Sequence, residues 1–276
     1  MSGIKRYSKV VAIVACVAAM SMFACSRDTS TKVVVKGSTT VLPIIQKAAE
    51  EFHASKKISV SVSGTGSGDG IKSIIEGNCD IAMSSREMKA AELEKAKSKG
   101  VKVAEIAIAY DMIVPVVNPK NQITNLTLDQ LKAIYDGSVS TWNLVGGNRD
   151  NIVVVSRDTS SGTFEVWEGK VMKKADVRKD ALLQASNGAV ASAISTNPKS
   201  IGYVGFGYLN SSLKALTVNG VEPTLENGKT GKFPISRKLY LYINENKITA
   251  EAKSFVDFIL SQDGQKLVKS AGFIEL

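Results

Sequence analysis

The chain has 276 residues, of which 44% are hydrophobic and only 6% aromatic, and its net charge is +9. This length is sufficient for one large domain or for two lobes of ordinary size. The low aromatic content argues against a base-stacking nucleic-acid surface, and the Lys and Arg residues form no polybasic tail. The scattered positive charge is typical of a solvated basic surface and is also compatible with an anionic ligand.

The N-terminus has the composition of a secretory signal. Several cations precede an apolar segment at 10–23, which is too short to span a bilayer comfortably. Cys25 follows directly, as in a bacterial lipoprotein, although the bulky Phe23 departs from the usual small residues. We predict a signal peptide over residues 1–24, a tether over 25–31 and lipidation of Cys25, with ordinary secretory cleavage nearby as the alternative.

Cys79 is the one cysteine in the body of the chain after the predicted leader. An exported protein with a single body cysteine has no internal disulfide framework. Because Cys79 stands at the start of an apolar strand, we expect a buried structural thiol.

Strand–turn–helix units follow one another along the chain. A strand over 32–35 leads through the turn 37–40 into an amphipathic helix, and the same order recurs after strands at 58–62, 80–83 and 152–155. Such a series predicts parallel sheets in an α/β protein. Ligands of these proteins bind at the carboxyl ends of the strands, where helix N-termini point.

Other elements lie between and after these units. The apolar stretch 103–117 predicts a long strand, in which Pro115 favours an edge or a bend. The stretch 211–236 is rich in turns and carries no clear functional signal. A strand over 239–243 and closing helices complete the chain.

Four of the turns carry hydroxyl groups, glycines or arginines. The first amides of a helix have no internal partner and a partial positive charge, so hydroxyl and guanidinium groups beside them suit a tetrahedral oxyanion. Each turn alone is also explained by helix capping, tight packing or a surface ion pair, but together the turns favour one small oxyanion. The candidate binding residues are Ser38, Thr39, Thr40, Ser67, Ser85, Arg86, Arg157, Ser161, Gly162 and Thr163.

With these motifs the chain resembles the phosphate-binding proteins of bacterial ABC-type phosphate uptake systems, in their shorter lipoprotein form. The resemblance covers essentially the whole mature chain, and the order and spacing of its motifs make it specific. These motifs are 37–40 with Pro43, the glycine loop 64–70, the segment 80–86, 135–137 with Trp142 and 146–147, Arg157 with 161–163, and 201–203.

The resemblance implies an α/β, two-lobed periplasmic-binding-protein-like (type II) fold with the ligand in the cleft. Lobe 1 is expected over 32–117 and 212–276, and lobe 2 over 118–211. The implied ligand is inorganic phosphate, held by the candidate residues without a cofactor or catalysis, and the implied partner is a membrane ABC permease. We expect a monomer without a nucleic-acid partner, in the periplasm or on the outer face of the cell membrane, anchored by lipid if Cys25 is modified.

Ser85 departs from the family pattern, because well-known members have an aspartate there that accepts the proton of monohydrogen phosphate. Asp69 and Asp158 are the nearby carboxylates that could replace it, and we favour Asp158. Asp158 could instead orient Arg157 without touching the anion.

Two alternatives remain from the residues alone. One is a binding protein for another oxyanion, such as sulfate or molybdate. The other is an enzyme of phosphoryl chemistry, against which stand the missing phosphate-binding loop of NTPases, a single histidine (His53) and the lack of a base near Ser161.

Overall fold

The structure is a computed structural model that describes residues 32–276. The predicted signal peptide (1–24), the tether (25–31) and Cys25 lie outside the described residues. The strands are β1 (Lys32–Gly37), β2 (Ser59–Gly64), β3 (Ile81–Ser84), β4 (Val103–Val117), β5 (Asn125–Leu126), β6 (Val153–Arg157), β7 (Leu182–Gln184), β8 (Ser200–Gly205), β9 (Lys214–Ala215), β10 (Thr217–Val218) and β11 (Ser236–Asn244).

Helices connect most of these strands and cover the sheet. Short 3₁₀ turns lie at Trp142–Val145 and Phe206–Tyr208. The α-helices are α1 (Leu42–Lys56), α2 (Ser67–Glu76), α3 (Ala90–Ser98), α4 (Leu128–Asp136), α5 (Gly162–Lys170), α6 (Asn187–Thr196), α7 (Leu225–Lys229), α8 (Ala250–Leu260) and α9 (Gln262–Ser270).

Within residues 32–276, a sheet of nine strands runs through both halves, in the order β2-β1-β3-β11-β4-β8-β6-β7, with β9 paired to β4. The long strand β4 joins the halves, because residues 103–112 pair with β11 and residues 113–117 pair with β8. Strands β5 and β10 form a separate two-stranded sheet.

Two main hydrophobic cores flank the crossing strand. The first core contains Phe52 and Phe255, and the second contains Trp142, Trp167 and Tyr203. Burial of large aromatic side chains on both sides gives each half its own packing. The fold is therefore α/β and two-lobed, with a cleft between the lobes.

Pro115 does not lie on a sheet edge, contrary to one of the two predicted possibilities, because β4 pairs with β8 and with β9 here. It is buried, stands opposite Tyr203 of β8, and its carbonyl oxygen accepts a hydrogen bond from the Leu216 amide at 2.9 Å. Proline removes only a donor, and its carbonyl still contributes to pairing.

Cys79 lies in a third cluster of buried apolar residues, with Ile71, Ile74 and Ile75. Burial raises the pKa of its thiol to about 12, so the thiol stays protonated and weakly reactive at neutral pH. The predicted buried thiol is confirmed. Over residues 32–276, no helix is both long and apolar enough to cross a bilayer.

Strand directions gather the functional turns at one edge. Strands β1, β2 and β3 are parallel and all end at the cleft, and β6, β7 and β8 are parallel in the other lobe. Strand β11 is antiparallel to β3, so the residues at its start lie where β3 ends.

Candidate functional site

The turn after β1 is held by its own serine. The Ser38 hydroxyl accepts hydrogen bonds from the amides of Thr40 at 3.1 Å and Val41 at 3.4 Å. With the backbone held this way, the side chains of Thr39 and Thr40 are buried at the cleft. The Tyr208 hydroxyl donates to the Thr39 carbonyl and ties this turn to the segment after β8.

A pair of threonine hydroxyls joins the two lobes. The Thr40 Oγ1 and Thr163 Oγ1 atoms are 2.9 Å apart, and both residues are 1% exposed. Asn187, at the start of α6, donates from Nδ2 to Thr40 Oγ1 at 3.0 Å and to Thr39 Oγ1 at 3.3 Å. Predicted residues from both lobes therefore meet.

Ser67 and Ser85 form a second buried pair. Their hydroxyl oxygens are 3.2 Å apart, and the Ser85 amide donates to Ser67 Oγ at 3.1 Å. Gly162 faces this pair across the cleft, since a Cβ atom there would lie 2.4 Å from Ser67 Oγ and 2.9 Å from Ser85 Oγ. Only glycine permits this close approach.

Helix α5 begins at the site and is capped by Ser161. The Ser161 hydroxyl accepts from the Phe164 amide at 3.2 Å, so its proton remains available to a ligand. The amides of Gly162 and Thr163 belong to the first turn, where the helix dipole is positive.

Arg157 is the buried cation of this turn. Its Nε donates to the Gln184 carbonyl at 3.0 Å and its Nη2 to the Ala185 carbonyl at 2.9 Å. The third nitrogen, Nη1, is buried and has no hydrogen-bond partner among the described residues. Burial lowers the pKa of Arg157, and the nearby charge of Arg237 lowers it further. Neutral carbonyls thus hold the guanidinium while leaving its charge available.

Arg237 and Asp111 form a buried ion pair beside the threonine hydroxyls. The Arg237 Nη2 lies 2.7 Å from Asp111 Oδ2, with exposed side-chain fractions of 4% and 0%. Burial raises the pKa of Asp111, whereas the charge of Arg237 opposes that rise. Two buried guanidinium groups and one buried carboxylate leave the cleft with excess positive charge, which favours an anion.

The guanidinium of Arg86, which is a predicted binding residue, contacts carboxylates and not the hydroxyls of this cluster. Its guanidinium lies 2.7 Å from Glu92 Oε2 and 2.8 Å from Glu165 Oε2, and Lys89 Nζ lies 2.6 Å from the same Glu165 oxygen. Burial opposes the charge of Arg86, but the hydrogen bonds and charges of Glu92 and Glu165 outweigh it and raise its pKa. Since Glu165 belongs to α5, this ion-pair network crosses the cleft.

Among the described residues, neither of the two proposed carboxylate acceptors is hydrogen-bonded to a buried hydroxyl of this cluster. Asp69 is exposed on α2. The half-buried Asp158 accepts at Oδ1 from the amide and the hydroxyl of Ser160, at 2.9 and 2.5 Å. Asp158 therefore stabilises the turn that follows Arg157.

Three residues of the cluster were missed in the sequence: Asp111, Asn187 and Arg237. Asp111 could have been recognised from the sequence, because a carboxylate within an apolar strand requires a buried partner. Asn187 begins a further strand–turn–helix unit. Arg237 follows the turn-rich stretch and has the appearance of an ordinary charged residue at a strand end.

No group of histidine, cysteine, aspartate or glutamate side chains within residues 32–276 is arranged to bind a metal ion. Within the described residues, the site consists instead of hydroxyl, amide and guanidinium donors. Such a set is typical of anion-binding clefts in two-lobed proteins.

Comparison with known proteins gives the class first. A family model described as a PBP superfamily domain matches residues 24–263 of this chain. The chain belongs to this superfamily, in agreement with its two-lobed α/β fold.

Individual relatives narrow the assignment. The chain is 31% identical to the phosphate-binding protein PstS of Borreliella burgdorferi, over 96% of this chain and 98% of the relative. It is 34% identical to PstS of Staphylococcus aureus, over 86% of this chain and 76% of the relative. These matches place it in the PstS family of phosphate-binding proteins.

A solved structure agrees with this assignment. The protein, from Clostridium perfringens, is described as a phosphate ABC transporter substrate-binding protein and contains bound phosphate. It is 36% identical to this chain, with a TM-score of 0.84, and the match covers 89% of this chain and 100% of that one.

Proposed function

We propose that this protein captures inorganic phosphate outside the cytoplasm and delivers it to a membrane ABC permease. Its PstS relatives are named as phosphate-binding proteins, and the C. perfringens protein of similar structure holds phosphate. The role is that of a substrate-binding protein and not of an enzyme.

One observation carries the proposal most directly: the buried Nη1 of Arg157 has no partner among the described residues. A desolvated guanidinium nitrogen is costly unless it finds an acceptor, and a phosphate oxygen is well matched to it. The hydroxyls of Ser161 and Thr163 and the first amides of α5 belong to the same turn, so they can bind the same anion.

Another oxyanion is the second candidate, and Ser85 is the observation that favours it. A carboxylate in the site rejects sulfate, because sulfate has no proton to share with it. A serine hydroxyl can accept from phosphate or donate to sulfate. We therefore expect phosphate to be preferred with less discrimination than an aspartate would give.

Closure of the two lobes accompanies binding in this proposal. We assign residues 32–112 and the chain after about 236 to lobe 1, and 113–211 to lobe 2, because residues 113–117 pair with β8. The connecting stretch 212–235 is assigned to lobe 2 as well, because Leu216 and Phe233 pack in the second core. This assignment moves the predicted lobe boundaries from residues 117 and 212 to about residues 112 and 236.

We further propose that the mature protein is a monomer anchored by a lipid on Cys25 after removal of residues 1–24. The composition of the N-terminal segment supports this placement. Removal of the three cations before residue 25 lowers the net charge from +9 to +6.

Titration calorimetry of the mature chain without its lipid tests the function. We expect a phosphate Kd of about 1 μM or lower, near −8 kcal/mol, and weaker uptake of sulfate and molybdate. No heat at millimolar phosphate would contradict the proposal. Release of phosphate from a generic monoester at enzymatic rates would favour the phosphoryl-chemistry alternative.

A further inference from the structure

The three nitrogens of the Arg237 guanidinium all contact protein acceptors. Nε donates to Asp111 Oδ2 at 2.8 Å, and Nη1 donates to the Ser85 carbonyl at 3.3 Å and to Thr163 Oγ1 at 3.0 Å. Nη2 lies 2.7 Å from Asp111 Oδ2 and donates to Thr40 Oγ1 at 3.4 Å. Every nitrogen of this guanidinium therefore has a protein partner, in contrast with Nη1 of Arg157.

Both carboxylate oxygens of Asp111 also accept hydrogen bonds from protein donors. Its Oδ1 accepts from the Phe206 amide at 2.9 Å and its Oδ2 accepts from Arg237. The carboxylate is completely buried. It holds the guanidinium in one orientation, because Nε and Nη2 both approach the single oxygen Oδ2.

The direction of each hydrogen bond at Thr40 follows from the orientation of the Asn187 amide. The Gly205 amide donates to Asn187 Oδ1 at 3.0 Å, so Asn187 Nδ2 is the atom that faces Thr40. Thr40 Oγ1 then accepts from Asn187 and from Arg237, which fills its two acceptor positions. Its own proton is directed to Thr163 Oγ1, 2.9 Å away.

Counting the acceptor positions of Thr163 in the same way leaves its own hydroxyl proton available. Thr163 Oγ1 accepts from Arg237 Nη1 and from the Thr40 hydroxyl, so both of its acceptor positions are filled. Its hydroxyl can act only as a donor to an acceptor outside this set. Thr163 stands in the first turn of α5, among the amides expected to bind the anion.

We propose that Arg237, held by Asp111, is a positioning residue that fixes the Thr163 hydroxyl as a hydrogen-bond donor to the bound anion. The proposal rests on the proposed function. Arg237 makes no direct contact with the anion and acts on its affinity through Thr163. Arg157, with its unpartnered nitrogen, is the arginine that binds the anion directly.

A double-mutant cycle read by calorimetry tests this coupling. The altered background is the double variant Asp111→Asn, Arg237→Met, which removes both charges together and leaves no unpaired buried carboxylate. Thr163→Val is measured in the parent and in this background. Ser161→Ala is the matched control, because the Ser161 hydroxyl accepts from the Phe164 amide and not from Arg237. Circular dichroism melting checks that each variant is folded.

In the parent, we expect Thr163→Val to raise the phosphate Kd by about tenfold to a hundredfold, as for a hydrogen bond to a charged group. In the altered background the same change should cost less than about threefold, whereas Ser161→Ala should cost the same in both. Equal Thr163→Val costs in both backgrounds would overturn the proposal.

A replacement background and a second anion complete the experiment. If the double variant does not fold, Arg237→Lys replaces it as the background, since an ammonium keeps a charge beside Asp111 but cannot reproduce the fork that donates to Thr163, and the Thr163→Val cost should again shrink. The titrations are run with phosphate and with sulfate. A parent that binds neither anion overturns both the proposed function and this inference, whereas binding with an unchanged Thr163→Val cost overturns the inference alone.

Discussion

Two turns of this molecule each carry a buried arginine, and their surroundings differ. After β3, Arg86 contacts the carboxylates of Glu92 and Glu165. After β6, neutral carbonyls hold Arg157 and one nitrogen remains without a protein partner. A guanidinium neutralised by carboxylates has a structural role, while one held by carbonyls keeps its charge for a ligand.

The largest expected effect comes from removing the uncompensated cation. Arg157→Ala should cost about 2–5 kcal/mol of phosphate binding, a Kd increase of about 30-fold to 4,000-fold, because a desolvated charged donor is lost. Calorimetry measures the Kd, and the melting temperature controls for folding. Parent-like binding by a folded variant would exclude Arg157 from the site.

A conservative change at the same position should have a smaller but clear effect. Arg157→Lys keeps the charge but loses the planar fork that the carbonyls of Gln184 and Ala185 orient. We expect a Kd about tenfold or more above the parent and below that of Arg157→Ala. Lysine and alanine variants with the same Kd would mean that geometry and not charge decides binding.

Arg86→Ala tests the other half of the comparison. Because carboxylates neutralise Arg86, it should affect phosphate affinity only by favouring the closed cleft through Glu165. We expect the phosphate Kd of Arg86→Ala to rise by less than about tenfold. Glu165→Gln should behave alike, because it removes the charge that links Arg86 to α5. Small-angle scattering should show the parent becoming more compact with phosphate. A loss as large as that of Arg157→Ala would place Arg86 in the anion site.

The smallest effects are expected from the two carboxylates near the turns. Asp158→Asn should leave the ratio of phosphate to sulfate affinity unchanged, because Asp158 is bonded to Ser160. The exposed Asp69→Asn serves as the control and should change neither affinity. Competition calorimetry with excess sulfate decides the matter. A gain of sulfate binding in either variant would identify that carboxylate as the acceptor of the phosphate proton.

Much of the site followed from local sequence. The turns after β1, β2, β3 and β6 were predicted from strands that end in hydroxyl and glycine residues, and the structure brings their Ser and Thr side chains together. What sequence could not give was the partner of each charged group. Arg86 lies six residues before Glu92 but 79 before Glu165, and Arg237 lies 126 residues after Asp111.

The sequence by itself determined the α/β class, the order of the strand–turn–helix units and most of the donor set, because these depend on periodicity and on residues adjacent in the chain. The tertiary structure alone decided which arginine remains uncompensated. Carboxylates reach Arg86 from α3 and α5, and Asp111 reaches Arg237 across two paired strands. Such contacts depend on strand order and lobe closure, and the charge left for an anion depends on them in turn.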